Sequence, residues 1–171
     1  MRDPETLARP WVIPGTPGLE HRIGGLSKKD GTGNVSYMPQ DHDYIVRTRA
    51  LKVERIAEYI PEQEVFGPES GKLLVVGWGG TYGAIRAAVE QAQRQGMSVA
   101  FAHLRYLNPF PRNLGEVLGR YEKILVPELN LGQLAFLLQA QFPVRVERLN
   151  KVQGQPFQIR EVLSRIAEIA G

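Results

Sequence analysis

The rhythm of apolar positions changes along the chain. From residue 1 to about Asp41 neither a helical nor a strand period is sustained. Pro10, Pro14, Pro17 and Pro39 interrupt the backbone, and glycines permit tight turns. So long a stretch without regular structure is unusual inside a compact domain. It is expected to lie against something else, either wrapping its own globular part or trailing from a preceding domain. After it, Ile45, Leu51, Val53, Ile56 and Ile60 fall at roughly helical spacing. Asp41 and Asp43 are placed to cap or charge the N-terminal end of that helix, and Pro61 stops it. Arg47, Arg49, Lys52 and Arg55 interleave and read as a solvated or interface face.

Beyond Gly71 a different pattern sets in. Residues 72–77 (KLLVVG) form a short continuous apolar run, as in a strand covered on both faces. The turn Trp78-Gly79-Gly80-Thr81 leads into a helix carrying Ile85, Ala88, Val89 and Ala92 and ending at Gly96. The unit recurs. Residues 98–104 read as the next strand, followed by a short helix with Leu114, Val117, Leu118 and Tyr121; residues 123–127 read as the third. Asn130 caps a helix with Leu131, Leu134, Ala135 and Leu138, residues 144–149 read as the fourth strand, and Pro156 opens the last helix with Ile159, Val162, Leu163, Ile166 and Ile169. Strands alternating with helices imply right-handed parallel crossovers, hence a three-layer α/β/α sandwich on a mostly parallel sheet. The predicted organisation is an arm with a connecting helix over residues 1–60 and an α/β domain over 61–171.

Composition sharpens that boundary. Of 171 residues, all four Asp lie in the first 60, and six of the 18 glycines fall between Gly15 and Gly33. The balance of 21 Lys+Arg against 18 Asp+Glu is only slightly basic, giving no support to nucleic-acid or membrane-surface binding. No run approaches the roughly 18 apolar residues of a membrane span, and the N-terminal stretch lacks the pattern of a secretion signal, so the expected location is cytoplasmic. The absence of cysteine removes disulfides, iron–sulfur ligation, thiolate zinc sites and cysteine nucleophiles from this chain.

Ligands of parallel sheets sit beyond the carboxyl ends of the strands, which directs attention to the turns at 77–81, 105–111, 128–132 and 150–156. The glycines at 77, 79, 80 and 83 follow a strand and open a helix, so backbone amides there are candidates for holding an anion. The dinucleotide fingerprint is not met. It requires glycine where Tyr82 stands, and the second strand ends in His103 and Arg105 where a ribose-binding acid is expected. A close-packed turn, a contact to a partner subunit and an NADP-type site using Arg105 all stay open.

Glu20-His21 and Asp41-His42-Asp43 are the acid–histidine clusters. In an extended segment the two aspartates point one way and His42 the other, poor geometry for a metal, and no spacing fixes Glu20 and His21 as a dyad. His103 reads as a hydrogen-bonded interior histidine. No nucleophile elbow, phosphate loop or zincin motif occurs, so no catalytic residue and no metal ligand are expected from the chain alone.

Taken together, residues 15–21 (GTPGLEH), 31–37 (GTGNVSY), His42, Arg49, Lys52, 77–83 (GWGGTYG), 103–111 (HLRYLNPFP) and 127–134 (PELNLGQL) resemble the C-terminal part of the alpha subunit of 2-oxoacid:ferredoxin oxidoreductases, most closely the 2-oxoglutarate type. The resemblance runs over nearly the whole chain. It implies a transketolase C-terminal-like domain with about five strands, one antiparallel at the edge, for which residues 62–67 (EQEVFG) are the candidate. It also implies a complex that oxidatively decarboxylates a 2-oxoacid with coenzyme A, giving acyl-CoA, carbon dioxide and reduced ferredoxin, and that uses thiamine diphosphate, Mg2+ and an iron–sulfur cluster.

The sequence lacks the family's Gly-Asp-Gly thiamine motif and its cluster cysteines, and Gly80 stands where the family has serine. The expectation is therefore a piece, or a separately made domain, of the alpha subunit. It would be structural, inactive alone, and partnered with the rest of that subunit and the beta subunit. Gly79, Gly80, Thr81 and Arg105 are the candidates for an anion or a coenzyme A phosphate; Glu20, His21, Asn108, Glu128 and Asn130 are the interface candidates. The alternatives are a free-standing nucleotide- or anion-binding module using the Gly77–Gly83 turn, or the C-terminal domain of another thiamine enzyme.

Overall fold

The computed structural model describes residues 1–170. The chain divides into two compact units, Met1–Ile60 and Pro61–Gly171.

The second unit is built on four strands, β1 (Gly71–Trp78), β2 (Val99–Leu104), β3 (Tyr121–Glu128) and β4 (Val146–Asn150), ordered β2-β1-β3-β4 and parallel throughout. β1 is central because its run from Leu73 to Val76 is apolar at every position, and strand side chains alternate between faces. Leu74 and Val76 point into a core shared with α3 (Leu114–Gly119) and α4 (Gln133–Gln141), joined by Leu118, Leu134 and Leu138. Leu73 and Val75 point the other way, against α2 (Tyr82–Arg94) and α5 (Ile159–Ala170), where Ile85, Val89, Val162 and Ile166 meet them. Helices on both faces make the three layers.

The sheet is one strand short of the expected five. Residues 62–67 do not form an antiparallel edge strand; they make one antiparallel bridge, Phe66 to Phe101. The reason is competition for the backbone. The Gln63 amide donates to Asn113 Oδ1 at 2.8 Å and its carbonyl accepts from Asn113 Nδ2 at 3.0 Å, while Gly67 (φ 106°) and Pro68 end the extended run. Helix starts also move: α4 begins after Leu131, which is 80% exposed, and α5 begins at Ile159, three residues beyond Pro156.

The first unit departs further from expectation. Its helix α1 spans Pro39–Glu54, starting before Asp41, with no side-chain cap; a 3-10 turn, Arg55–Glu58, continues it. Pro at the first helical position needs no amide partner, which is why the helix starts there. The segment before it folds back on itself. Lys28 and Val35 form an antiparallel bridge, Lys29 N donates to Asn34 O at 2.8 Å, and Ser36 N donates to Ser27 O at 2.9 Å. Asp30 then gathers the unit: Arg2 Nε at 2.8 Å and Arg9 Nη2 at 2.9 Å donate to Oδ1, and the Tyr44 hydroxyl donates to Oδ2 at 3.1 Å. No hydrophobic side chain of this unit is buried.

Candidate functional site

In the second unit the carboxyl ends of β1 and β3 meet at one buried carboxylate. Glu128 closes β3 and is fully buried. Its Oε1 accepts from Trp78 Nε1 at 3.2 Å, from Asn130 Nδ2 at 3.2 Å and from the Leu134 amide at 2.8 Å; its Oε2 accepts from the Ala135 amide at 3.1 Å. Asn130 Oδ1 accepts from the amides of Gly132 at 2.7 Å and Gln133 at 3.0 Å. The first amides of α4 are thus satisfied by a strand-borne carboxylate and a loop asparagine, and negative charge at that helix end is favourable. Glu128, expected at a subunit face, instead points inward: its lone pairs are spent tying β1, β3 and α4 together. Asn130 is half-buried in the same network, whereas Asn108 is exposed.

The glycine turn is closed by its own threonine. The Thr81 hydroxyl donates to Trp78 O at 2.8 Å and accepts from Trp78 N at 3.2 Å, and Thr81 is buried. Gly77 needs to be glycine, since a Cβ there would stand 2.5 Å from Ile85 Cδ1. Gly79 (φ +56°) and Gly80 have open space where a side chain would project.

Beside this turn lies a cleft of about 420 Å³. Phe101, His103 and Arg105 alternate along β2 and its continuation onto one face, and Tyr82 and Arg86 enter from α2. His103 sits edge-on to Tyr82 at 5.1 Å and to Phe101 at 5.8 Å between centroids. The expected hydrogen bond to its ring is absent at Nδ1, which is buried without a partner among the described residues. Burial first, then the charge of Arg105, holds its pKa below the usual 6.5. Arg86 lies over the Phe66 ring at 3.2 Å and donates from Nε to Glu90 at 2.7 Å. Arg105 makes no salt bridge among the described residues. Glu62 and Glu64 also line the cleft, so its two arginines are matched in number by two carboxylates and it carries no strong anion-attracting field. The one-face set 101, 103, 105 was readable as strand alternation, but its pairing with Tyr82 and Arg86 depends on how α2 crosses the sheet.

The acid–histidine clusters of the first unit do not converge. Glu20 Oε1 accepts from Gly18 N at 3.2 Å and His21 Nδ1 lies 3.0 Å from Leu19 O, each within its own loop. Asp41, His42 and Asp43 lie in the first turns of α1 instead of an extended segment, and they take three different partners: Ser36, Ser27 and Arg47. Among the described residues no three His, Cys, Asp or Glu side chains form a metal site.

The profile of the pyruvate:ferredoxin oxidoreductase core domain II family matches residues 71–162. The 2-oxoglutarate oxidoreductase subunit KorA of Mycobacterium tuberculosis is 54% identical over 162 residues, covering 94% of this chain and 24% of the relative. A 2-oxoacid:ferredoxin oxidoreductase subunit alpha of Aeropyrum pernix is 32% identical over 160 residues, covering 88% and 24%. The structure of the 2-oxoglutarate:ferredoxin oxidoreductase from Magnetococcus marinus, with 2-oxoglutarate, coenzyme A and succinyl-CoA bound, superposes with a TM-score of 0.89 at 26% identity, over all of this chain and 30% of that one. A split-gene transketolase shares the fold alone, at 17% identity and a TM-score of 0.50 over 63% of this chain and 41% of that one. The chain belongs to the 2-oxoacid:ferredoxin oxidoreductase family through its core domain II. It spans about a quarter of the length of the curated relatives named here.

Proposed function

We propose that this chain acts as an assembly segment of the alpha subunit of a 2-oxoacid:ferredoxin oxidoreductase, with 2-oxoglutarate as the substrate. The complex would oxidise and decarboxylate the 2-oxoacid with coenzyme A, releasing acyl-CoA and carbon dioxide and passing two electrons to ferredoxin. The observation that carries this reading is the 54% identity to KorA, which extends over both units. The exposed apolar side chains of the first unit support it: Trp11, Ile13, Ile23 and Tyr37 are uncovered, as expected of a surface that partners complete.

The residues here do not fit the metal groups such a complex uses. There is no cysteine for a cluster, and no convergent acidic set for Mg2+ among the described residues. In this reading thiamine diphosphate, Mg2+ and the cluster are held by the rest of the alpha subunit and by the beta subunit. The contribution of this chain is an α/β body in which Glu128 ties β1, β3 and α4 together. Its Arg105, exposed and without a salt bridge among the described residues, is proposed to meet a phosphate of coenzyme A as a single contact, since the cleft around it is balanced in charge.

The test is reconstitution. Beta subunit and an alpha subunit lacking this segment are mixed with the purified chain, and association and 2-oxoglutarate-dependent ferredoxin reduction are measured. Association with gain of turnover is expected, and the chain alone should give none. Failure to associate, or turnover by the chain unaided, overturns the proposal.

A further inference from the structure

The first unit gathers four of its nine basic side chains around one cleft. Its 60 residues hold nine Lys+Arg and eight Asp+Glu, nearly balanced. Yet a cleft of about 300 Å³ within it is lined by Arg2, Arg9, Lys28 and Arg49 and by no acidic side chain. Two elements build it. On α1, His42, Ile45, Val46 and Arg49 recur at the spacing that puts them on one helix face. Opposite them runs the Gly24-Gly25-Leu26-Ser27 loop, fixed to the helix by the Ser27 hydroxyl, 2.5 Å from His42 Nδ1.

The counter-charge is incomplete. Asp30 serves Arg2 and Arg9 together, at 2.8 and 2.9 Å, so one carboxylate offsets two guanidiniums. Lys28 Nζ donates to a backbone carbonyl, that of Arg22, which carries no charge. Arg49 has neither a salt bridge nor a side-chain hydrogen bond among the described residues. Four cations against one carboxylate leave about three positive charges around a concave space. Guanidinium forks and a glycine loop that lets backbone come close are the groups that recognise phosphate oxygens. The volume suits a small polyanion better than a polypeptide, which would need a longer groove.

We propose that this cleft is a binding site for a small ligand carrying two or more linked phosphates, gripped by Arg49, Arg9 and Lys28 against the Gly24–Ser27 loop. The cleft of the second unit offers no such field, because two glutamates, Glu62 and Glu64, line it together with its two arginines. The site stands on charge placement in the first unit and does not depend on the catalytic reading above.

Titration of the full 171-residue chain with inorganic pyrophosphate, ADP and sulfate, followed by calorimetry and amide NMR, tests it. Pyrophosphate and ADP are expected to bind at least about tenfold more tightly than sulfate, with shifts at residues 24–28 and 42–49, and binding should weaken as salt rises. Tighter binding of ADP than of pyrophosphate would mean the Leu26, Ile45 and Val46 side chains contact the base; equal binding would mean the phosphates alone are read. Arg49→Ala, whose side chain supports no other group, should lower affinity about tenfold and Arg49→Lys about threefold, with Arg94→Ala in α2 unchanged. Pyrophosphate binding no tighter than sulfate, an unaffected Arg49→Ala variant, shifts confined to the second unit, or tighter binding of a polyglutamate peptide would each overturn the proposal.

Discussion

The two units solve the problem of order by opposite means. The second buries every apolar side chain the chain conceals, in two cores on either side of the sheet. The first buries none, and coheres through Asp30, Arg2, Arg9 and Arg55, whose Nη1 donates to Pro4 O at 2.7 Å. Surface polar links contribute little each, because water competes for the same groups. The second unit, with its buried cores, carries its own stability; the first, held by polar links, needs covering surface to gain more.

The comparison breaks most visibly in the core. Leu125→Ala, at a fully buried position in β3, should cost about 2–5 kcal/mol in denaturant unfolding, through lost transfer energy and the cavity left behind. Glu128→Ala should come next, at about 3 kcal/mol, because it strands the Trp78 indole N–H and two helix amides without acceptors. Glu128→Gln, which keeps an acceptor oxygen, should cost less than the alanine variant. Gly77→Ala should cost about 1–3 kcal/mol by forcing Ile85 aside. All four variants should leave the amide spectrum of residues 1–60 largely unchanged.

The first unit is sharpened by pH and by its surface. The Arg9 hydrogen bond, with lesser help from Arg2 and Tyr44, lowers the Asp30 pKa from 3.8 to about 2. A depressed carboxylate pKa means the link is fully present above the ordinary value and is lost as pH falls through about 2. Amide shifts of residues 28–35 should therefore change with a midpoint near pH 2, and Asp30→Asn should abolish that change. Smallest of all, Trp11→Ala, at a fully exposed position, should change stability by no more than about 0.5 kcal/mol.

These contrasts mirror what the amino-acid sequence made legible. The parallel α/β body could be read because its signals are local: the apolar run before Gly77, and the helical spacing of Ile85, Ala88, Val89 and Ala92, all of them buried. The missing edge strand could not, because Asn113, 50 residues away, captures the Gln63 backbone. Burial of Glu128 was half visible. An acid two residues ahead of Asn130 and just before a helix is positioned to serve amides, but the Trp78 contact is set by β1 and β3 lying side by side. The basic cleft escaped periodicity altogether, since it joins residue 2 to residue 49 through a loop with no repeat.

The strand order has a temporal side. β1 is the first strand of its unit to leave the ribosome and ends flanked on both sides, with β2 on one edge and β3, then β4, on the other. Each later strand finds a template already waiting, and none has to be inserted between two strands already paired. The sheet can grow outward in the sequence in which it is translated.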